Sequence, residues 1–247
     1  MRIAASSKSP SFQPLYMQIK ALLVASLDGG EWPPGEAIPS EMALAQRFRV
    51  SQGTVRKAID ELAAQSLVIR RQGKGTFVST HTEEKASLFR FLRIRRNDGR
   101  DEYPASRLLD VRRAKASTEV ARALELKVGD AVIVLRRVLE FAGQPVVLDE
   151  IVLAAALFKG LTKAKVEAYR GSMYSFFETQ FGVRMLKAQE KLRAVSADAQ
   201  SAGILGVRVG DPLLAVERVT LTYGERPVEW RRGLCTTRHH SYVNELS

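Results

Sequence analysis

The stretch from residue 38 to residue 78 constrains the fold most, because two helical patterns follow each other closely and end in a basic hairpin. Ser40 and Ser51 are suited to cap the N-termini of these helices. Leu44 and Phe48 lie four residues apart in the first helix, which indicates one apolar face. The second helix carries apolar residues at i, i+4 and i+7, namely Val55, Ile59 and Leu62. The pattern predicts two short helices that pack against each other across a tight turn.

The hairpin that follows gives this pair of helices a wing. Residues 67–69 and 76–78 are short apolar runs that predict two strands, and the loop between them, residues 70–75, is basic and contains glycine. Helix, turn, polar-faced helix and basic hairpin are the layout of a winged helix-turn-helix. A helix fits the major groove of DNA, and a glycine-rich basic loop can approach the adjacent minor groove closely.

The charge pattern favours DNA as the partner. The formal net charge of the chain is +11 and its pI is about 10.0, so acidic polymers are expected to bind. Cations are placed on the second helix, on the turn before it and on the wing, where phosphates would lie. They are Arg47, Arg49, Arg56, Lys57, Arg70, Arg71 and Lys74. The alternative is a solvated basic face on a structural domain, which the agreement of pattern, turn chemistry and charge disfavours.

The overall composition is that of a soluble globular protein, with 45% hydrophobic and 26% charged residues. The single cysteine, Cys235, excludes an internal disulfide framework and fits a reducing compartment. Residues 1–13 lack a long apolar core, so no signal peptide is expected. The chain contains no long unbroken apolar stretch of the kind that spans a bilayer. We therefore expect a cytoplasmic protein with no membrane partner.

The domain organisation follows from the composition and the turn signals. We expect a flexible arm at 1–13, the DNA-binding domain at 14–78, a linker at 79–95 and a second domain at 96–247. The first helix is predicted to run from Pro14 to about Asp28, because two glycines stop it. Its core-facing residues are predicted to be Leu15, Ile19 and Leu22.

The second domain contains an internal repeat. Apolar, glycine and aspartate positions between Ala121 and Gly143 recur between Ala202 and Gly224, at an offset of 81 residues. Each copy has the pattern of a short helix, a Gly-Asp turn, a strand, a turn and a second strand. Two such hairpins can pair into one mixed, largely antiparallel sheet, and residues 154–182 between them look helical. The fold class predicted for the whole chain is therefore α+β.

Several short stretches of the first domain form an ordered set. They are PLYMQI from Pro14, PG at Pro34, IPSE from Ile38, VS at Val50, TVRKA from Thr54 and RQGKGTFV from Arg71. With them, residues 14–78 resemble the DNA-binding domain of the GntR family of bacterial transcription regulators. Met42 and Gln52 depart from the family, which often has an arginine that reads guanine at these positions. Glutamine suits adenine and methionine makes no polar base contact, so the operator sequence of the family does not transfer directly.

The resemblance and the polar face together give the residues expected to contact DNA. These are Ser40, Arg47, Arg49, Ser51, Gln52, Gly53, Thr54, Arg56, Lys57, Arg71, Gln72, Gly73 and Lys74.

A second set of stretches covers the rest of the chain. They are Gly171-Ser172-Met173-Tyr174, Phe181-Gly182-Val183, Leu205-Gly206-Val207, Gly210-Asp211-Pro212-Leu213-Leu214 and Pro227-Val228-Glu229. With them, residues 88–246 resemble the effector-binding UTRA domain of the HutC-like branch of the same family. The resemblance implies a fold like that of chorismate lyase, a homodimer, and repression that a small ligand relieves.

The resemblance also indicates where the effector binds. The residues expected to contact it are Arg137, Ser172, Tyr174, Glu229, Arg231 and Tyr242. Arginine supplies a bidentate fork, the hydroxyls donate and accept, and the carboxylate accepts from ligand hydroxyls or amines. Leu139 stands where a second arginine is frequent, and Asp149 replaces a frequent glutamate, so a sugar phosphate and a carboxylate metabolite both remain open. Taken singly, each of these residues can equally be an ordinary polar residue of a sheet or a helix cap.

No motif predicts an enzyme, a metal site or a cofactor. The sequence lacks the G-x-S-x-G nucleophile elbow, and His239-His240 lack the further ligands that a metal site requires. We expect a ligand-responsive transcription regulator, above all a repressor, that binds a palindromic double-stranded DNA operator as a dimer. Two alternatives stay open, namely a lyase-like enzyme domain fused to a DNA-binding head and a ligand-free architectural or activating DNA-binding protein.

Overall fold

The chain forms two compact units in the computed structural model, one that ends at Thr80 and one that begins at His81. The structure describes residues 13–81, 91–100 and 102–244. Residues 1–12 of the predicted arm at 1–13 and residues 82–90 of the predicted linker at 79–95 lie outside these ranges. Among the residues that are described, no helix is long and apolar enough to cross a membrane.

The first unit has the predicted order of elements. Helix α1 spans Leu15–Asp28, α2 spans Glu41–Phe48 and α3 spans Gln52–Ala64, and the hairpin strands are β1, Val68–Arg71, and β2, Gly75–Val78. The two predicted caps are confirmed, since the side chains of Ser40 and Ser51 each accept a hydrogen bond from the backbone three residues later. Between α2 and α3, Arg49 adopts a left-handed conformation with φ of 54°, which makes the tight turn.

The core face of α1 differs from the prediction. Leu15 and Leu22 are each 50% exposed, and the buried positions are Ile19, Leu23 and Leu27. Both sets have helical spacing, because the adjacent Leu22 and Leu23 let the apolar stripe be drawn in two ways. Packing against α3 selects the set with i, i+4 and i+8 spacing.

The wing strands are longer than predicted. Val68 pairs with Val78 and Arg71 pairs with Gly75, so Arg70 and Arg71 belong to β1 rather than to the loop. Only residues 72–74 remain in the turn, where Gly73 has φ of 70°. A positive φ suits glycine, so the turn is tight and its tip is narrow.

A six-stranded antiparallel sheet forms the centre of the second unit. Its strands are β4 (Ala105–Lys115), β5 (Ala131–Phe141), β6 (Gln144–Ala154), β7 (Lys187–Ser196), β8 (Pro212–Leu221) and β9 (Pro227–Cys235). Their order across the sheet is β4-β5-β6-β9-β8-β7. A separate two-stranded ladder joins β3, Ile94–Arg96, to β10, His240–Tyr242.

The sheet contains the internal repeat. Each copy comprises a strand, a short helix and a hairpin, which are β4, α4 (Thr118–Leu124), β5 and β6 in the first copy, and β7, α7 (Ala199–Leu205), β8 and β9 in the second. The two hairpins meet where β6 pairs with β9, which confirms the predicted joining of the two copies into one sheet. The first strand of each copy was absent from the predicted repeat, because these edge strands share few sequence identities.

The prediction of a helical segment at 154–182 was too broad. Only α5, Lys163–Ala168, and α6, Met173–Phe181, are helical, and residues 155–162 form turns. Phe158 and Leu161 in these turns are buried, so their apolar spacing reflects core filling rather than a helix. Helix α6 packs on one face of the sheet, against Ile133, Leu135, Ile151 and Leu153. Helices α4 and α7 cover the other face, where alternate residues of β5 point.

Candidate nucleic-acid interface and ligand cavity

The candidate recognition surface of the first unit is the exposed face of α3. Gln52, Gly53, Arg56 and Lys57 are exposed there, and the opposite face buries Val55, Ala58, Ile59 and Leu62. The hydroxyl of Ser51 accepts from the backbone N–H of Thr54 at 3.2 Å and lies 2.9 Å from the Thr54 hydroxyl. The cap thus holds the first turn of α3 in place while its polar side chains remain accessible to a groove.

Glu41 orders this surface, and the sequence analysis had not singled it out. Its Oε2 accepts from Arg56 Nε at 2.9 Å and from Gln52 Nε2 at 3.2 Å, and its Oε1 accepts from Arg70 Nη2 at 3.2 Å. One carboxylate on α2 therefore holds two exposed side chains of α3 and one cation of the wing. Its position in the first turn of α2 was the available signal, since a carboxylate there interacts favourably with the positive end of the helix dipole.

Other predicted DNA-contacting cations are engaged within the unit. Arg47 donates to both carboxylate oxygens of Glu31 and lies over the Trp32 ring, 5.8 Å from its centroid. Hydrogen bonds from Arg47 and Ser26 lower the pKa of Glu31. Lys57 Nζ lies 4.1 Å from the centroid of the Tyr16 ring. Both cations are held by local contacts; Glu31 compensates the charge of Arg47, whereas Lys57 still contributes its charge to the surface.

The remaining predicted DNA contacts lie on the wing and on the turn. Arg71 lies over the Phe77 ring at 4.7 Å, and Lys74 donates its backbone N–H to the Arg71 carbonyl at 2.9 Å, which closes the wing turn. Residues 71–74 are exposed, as is Arg49 at the turn before α3. Ser40 is a cap, since its hydroxyl accepts from the backbone N–H of Ala43 at 3.2 Å.

A cavity of about 890 Å³ lies in the second unit, between the sheet and the N-terminal end of α6. Three buried arginines of the sheet line it, and their side chains are only 6–12% exposed. They are Arg137 on β5, Arg218 on β8 and Arg231 on β9. Aromatic rings form another part of the wall, with Tyr174 edge-on to Phe91 at 5.3 Å and to His81 at 5.9 Å.

Two of these arginines share one carboxylate. Asp149 is fully buried, and its oxygens accept from Arg137 Nε at 3.0 Å, from Arg231 Nε at 2.8 Å and from Arg231 Nη2. Burial disfavours the ionised carboxylate, but the charges of Arg231 and Arg137 outweigh that cost and lower the pKa of Asp149. Gly233 lies opposite Asp149, and a Cβ at Gly233 would be 3.1 Å from Asp149 Oδ1, so glycine leaves the space that the carboxylate needs.

The third arginine has its own partners. Arg218 donates from Nε to Glu190 Oε1 at 2.7 Å, from Nη1 to the Tyr174 hydroxyl at 3.3 Å and from Nη2 to the Phe91 carbonyl. Burial disfavours its charge, yet the neighbouring Tyr174, Glu190 and Glu229 together raise its pKa. All of its nitrogens are therefore held by the protein.

The structure brings most of the predicted effector residues to this cavity and leaves two away from its wall. Arg137, Ser172, Tyr174 and Arg231 line it. Glu229 is fully buried behind Tyr174, which donates to Glu229 Oε2 at 2.7 Å, and Thr220 donates to the same oxygen at 2.6 Å. Tyr242 donates to Glu190 and lines a small adjoining pocket.

Arg218 was not among the residues expected to contact the effector, although a signal for it existed. It stands 81 residues after Arg137, so it is the counterpart of that arginine in the second repeat. His81 and Phe91 were also missed, because neither occurs in a recognisable motif. The His81 ring hydrogen-bonds the Met185 carbonyl at 2.8 Å, and its backbone N–H donates to Glu178 at 2.6 Å, which fixes the ring at the wall.

His240 and Cys235 are buried in the second unit. His240 packs on Phe141 with ring centroids 4.9 Å apart, whereas the neighbouring His239 is exposed. Within the described ranges, no cluster of three or more metal-ligating side chains occurs. Cys235 is buried, and burial raises the pKa of its thiol to about 12, so the thiol is protonated at neutral pH.

Comparisons with known proteins assign both units to known domain families. The family profile of the bacterial regulatory proteins of the gntR family matches residues 15–78, and that of the UTRA domain matches residues 99–241. The transcriptional repressor NagR of Bacillus subtilis is 27% identical over 94% of this chain and 95% of its own length. The histidine utilization repressor of Pseudomonas putida is 26% identical over 99% and 96%.

Solved structures give the same assignment for the second unit. The ligand-binding domain of a protein described as a GntR-family transcriptional regulator from Bordetella bronchiseptica is 44% identical. The match covers 64% of this chain and 99% of that domain, with a TM-score of 0.63. PhnF from Mycobacterium smegmatis is 25% identical over 93% of this chain and 99% of its own, with a TM-score of 0.54. These relatives are regulators, which favours regulation over the enzyme alternative.

Proposed function

This chain belongs to the GntR family of bacterial regulatory proteins and carries a UTRA domain, and we propose that it is a repressor released from its operator by a small anionic metabolite. As a member of this family it is a DNA-binding transcription regulator, not an enzyme. The anionic nature of the effector, the sign of regulation, the homodimer and the cytoplasmic location belong to the proposal.

The observation that carries the proposal is the cavity lined by buried arginines. A cavity of about 890 Å³ has the size of a small-molecule site. Guanidinium groups are rarely buried without a reason, because each must be removed from water at considerable cost. Arg137 and Arg231 present donors towards the cavity in addition to those that Asp149 uses. Such an arrangement recognises an anion through fixed, charge-assisted hydrogen bonds.

Operator recognition is assigned to α3 and the wing. Gln52 and Arg56 extend from α3 and are steadied by Glu41. In a two-fold symmetric dimer, two such helices would read half-sites one helical turn of DNA apart, or a multiple of it, and the operator would be palindromic. Release by a ligand then requires that binding in the second unit changes the position of the two reading heads.

Fluorescence anisotropy with a labelled fragment from upstream of the protein's own gene tests the proposal. We expect binding that weakens steeply with salt, because phosphate contacts release counterions. A screen of small anions is expected to identify one that weakens operator binding by about tenfold or more, as coupling between two sites typically does. An operator affinity that stays constant with every anion found to bind would refute ligand-induced release.

Arg137→Gln provides the matched variant for the release step. It removes a cavity cation outside the DNA-binding unit, so we expect operator affinity to persist while the release by the anion is lost. Arg208→Gln is the control, since the Arg208 side chain is 86% exposed and does not line the cavity. Equal loss of release in both variants would show that overall charge, rather than the cavity, controls the response.

A further inference from the structure

Few donors of the buried arginines remain available in the cavity, and they belong to the two arginines that meet on Asp149. Arg218 uses all three of its nitrogens on Glu190, Tyr174 and the Phe91 carbonyl. Arg231 uses Nε and Nη2 on Asp149, so its Nη1 is uncommitted among the described residues. Arg137 uses Nε on Asp149 and makes a long contact from Nη1 to Ser106 at 3.5 Å, which leaves Nη2.

The buried arginines and the carboxylates that pair with them have a small net positive charge. Arg137 and Arg231 share the single carboxylate of Asp149, which leaves one positive charge uncompensated between them. Arg218 is offset by Glu190, whose carboxylate is 2.5 Å from its Nη2. Two further arginines line the cavity but are exposed to water: Arg107 pairs with Glu140 at 2.7 Å, and solvent screens the charge of Arg170.

Two nearby positions limit the charge further. Glu229 lies behind Tyr174, whose hydroxyl donates to its Oε2 at 2.7 Å, so an acidic side chain stands on the sheet side of that ring. Leu139 lines the cavity on the same face of β5 as Arg137, two residues along, and supplies no donor. The buried arginines and their carboxylate partners thus have one positive charge to offer a ligand and no surplus for a second negative charge.

The rest of the wall suits an apolar body. Phe91, Tyr174 and His81 form a cluster of rings with centroids 5.3–6.4 Å apart. Apolar side chains also contribute to the lining, among them Leu92, Leu108, Leu139, Val166, Met173 and Phe176. Flat aromatic groups pack well against such rings.

We propose that the cavity selects a singly charged carboxylate on an aromatic or other apolar body over a phosphate monoester of the same body, and that Asp149 sets this selectivity. The inference rests on the proposed function only in placing the effector in this cavity. A planar carboxylate matches the two remaining donors on Arg137 and Arg231 and neutralises their single net charge. A phosphate monoester carries close to two negative charges at neutral pH and would leave one unpaired in a low-dielectric site.

Isothermal titration calorimetry at pH 7.5 in low-chloride buffer tests the proposal with benzoate and phenyl phosphate, which share one ring. The affinity of the wild-type protein for benzoate is expected to exceed that for phenyl phosphate by a factor of about ten or more. Asp149→Asn adds one net positive charge, so the affinity ratio is expected to move by about tenfold towards phenyl phosphate. Wild-type preference for phenyl phosphate, binding of neither probe, or an unchanged ratio in Asp149→Asn would each overturn the proposal.

Two further variants keep the test decisive if Asp149→Asn does not fold. Arg231→Gln removes the net charge, and its benzoate affinity is expected to fall by about tenfold. The double variant Asp149→Asn/Arg231→Gln restores the net charge of the wild type, so benzoate preference is expected to return. Benzoate affinity that stays unchanged in Arg231→Gln would contradict the charge count.

The same two probes in the operator-binding assay separate this inference from the proposed function. Release of the operator by phenyl phosphate but not by benzoate would overturn the inference and leave anion-controlled repression standing. Tight benzoate binding in the cavity with no release by any anion would support the inference and refute anion-controlled repression.

Discussion

Asp149→Asn is expected to destabilise the second unit by about 3–5 kcal/mol, because it leaves two buried guanidinium groups without a counter-charge. The magnitude follows from the contacts of Asp149, which is fully buried and accepts three charge-assisted hydrogen bonds from Arg137 and Arg231. Asparagine keeps the size of the side chain but lacks the charge and one acceptor oxygen. A loss of this size is a large share of the ~5–15 kcal/mol by which a typical domain is stabilised.

Urea denaturation followed by tryptophan fluorescence measures this loss in one unit alone. The chain has two tryptophans, and a Trp32→Phe background leaves Trp230 on β9 as the reporter of the second unit. Low-chloride buffer is required, because an anion bound in the cavity would stabilise the variant by mass action. The free energy of unfolding of the variant and of the wild type is compared in this background.

A double-mutant cycle with Arg231→Gln identifies the cause of the loss. Arg231→Gln alone leaves the Asp149–Arg137 pair intact, so we expect a smaller cost of about 1–3 kcal/mol. In the double variant one of the two stranded cations is gone, and the combined cost is expected to fall short of the sum by about 1 kcal/mol or more. Additivity within about 0.5 kcal/mol, or a cost below about 1 kcal/mol for Asp149→Asn, would refute the reasoning.

Four further results are expected. Arg56→Ala should weaken operator binding by about 1–3 kcal/mol in the anisotropy assay, with Arg208→Ala near zero, and a loss below ~0.3 kcal/mol would mean that α3 is not in the groove. Ser51→Ala should cost about 0.5–2 kcal/mol of stability in the first unit through loss of the α3 cap, read by urea denaturation, whereas Ser51→Gly should cost a few tenths; equal costs would argue against capping. Phe158→Ala should cost about 3–5 kcal/mol by the Trp230 signal, since Phe158 is fully buried under α6, and a cost under ~1 kcal/mol would contradict its core role. The pKa of Asp149 is lowered on folding, so the stability difference between wild type and Asp149→Asn should be constant above the ordinary value of 3.8 and shrink as pH falls below it; shrinkage already between neutral pH and that value would contradict the lowered pKa.

Local patterns in the sequence were sufficient to predict the elements of the reading head. Ser40 and Ser51 act as caps, and the stripe of α3 is buried as predicted, because capping and periodicity depend only on residues within a few positions of each other. The α1 stripe was assigned wrongly, since adjacent Leu22 and Leu23 make two faces equally apolar. Only contact with a neighbouring helix decides between them.

The amino-acid order by itself determined the winged helix-turn-helix, the internal repeat and the positive charge of the chain, because these depend on spacing and composition. The tertiary structure decided the chemistry of the cavity. Arg137, Asp149, Arg231, Arg218 and Glu190 come together only when β5, β6, β9, β8 and β7 pair side by side. Their net charge depends on which carboxylate each guanidinium contacts across the sheet. Partners such as Asp149 and Arg231 are 82 positions apart in the sequence, so their contact can be identified only once the pairing of the strands is known.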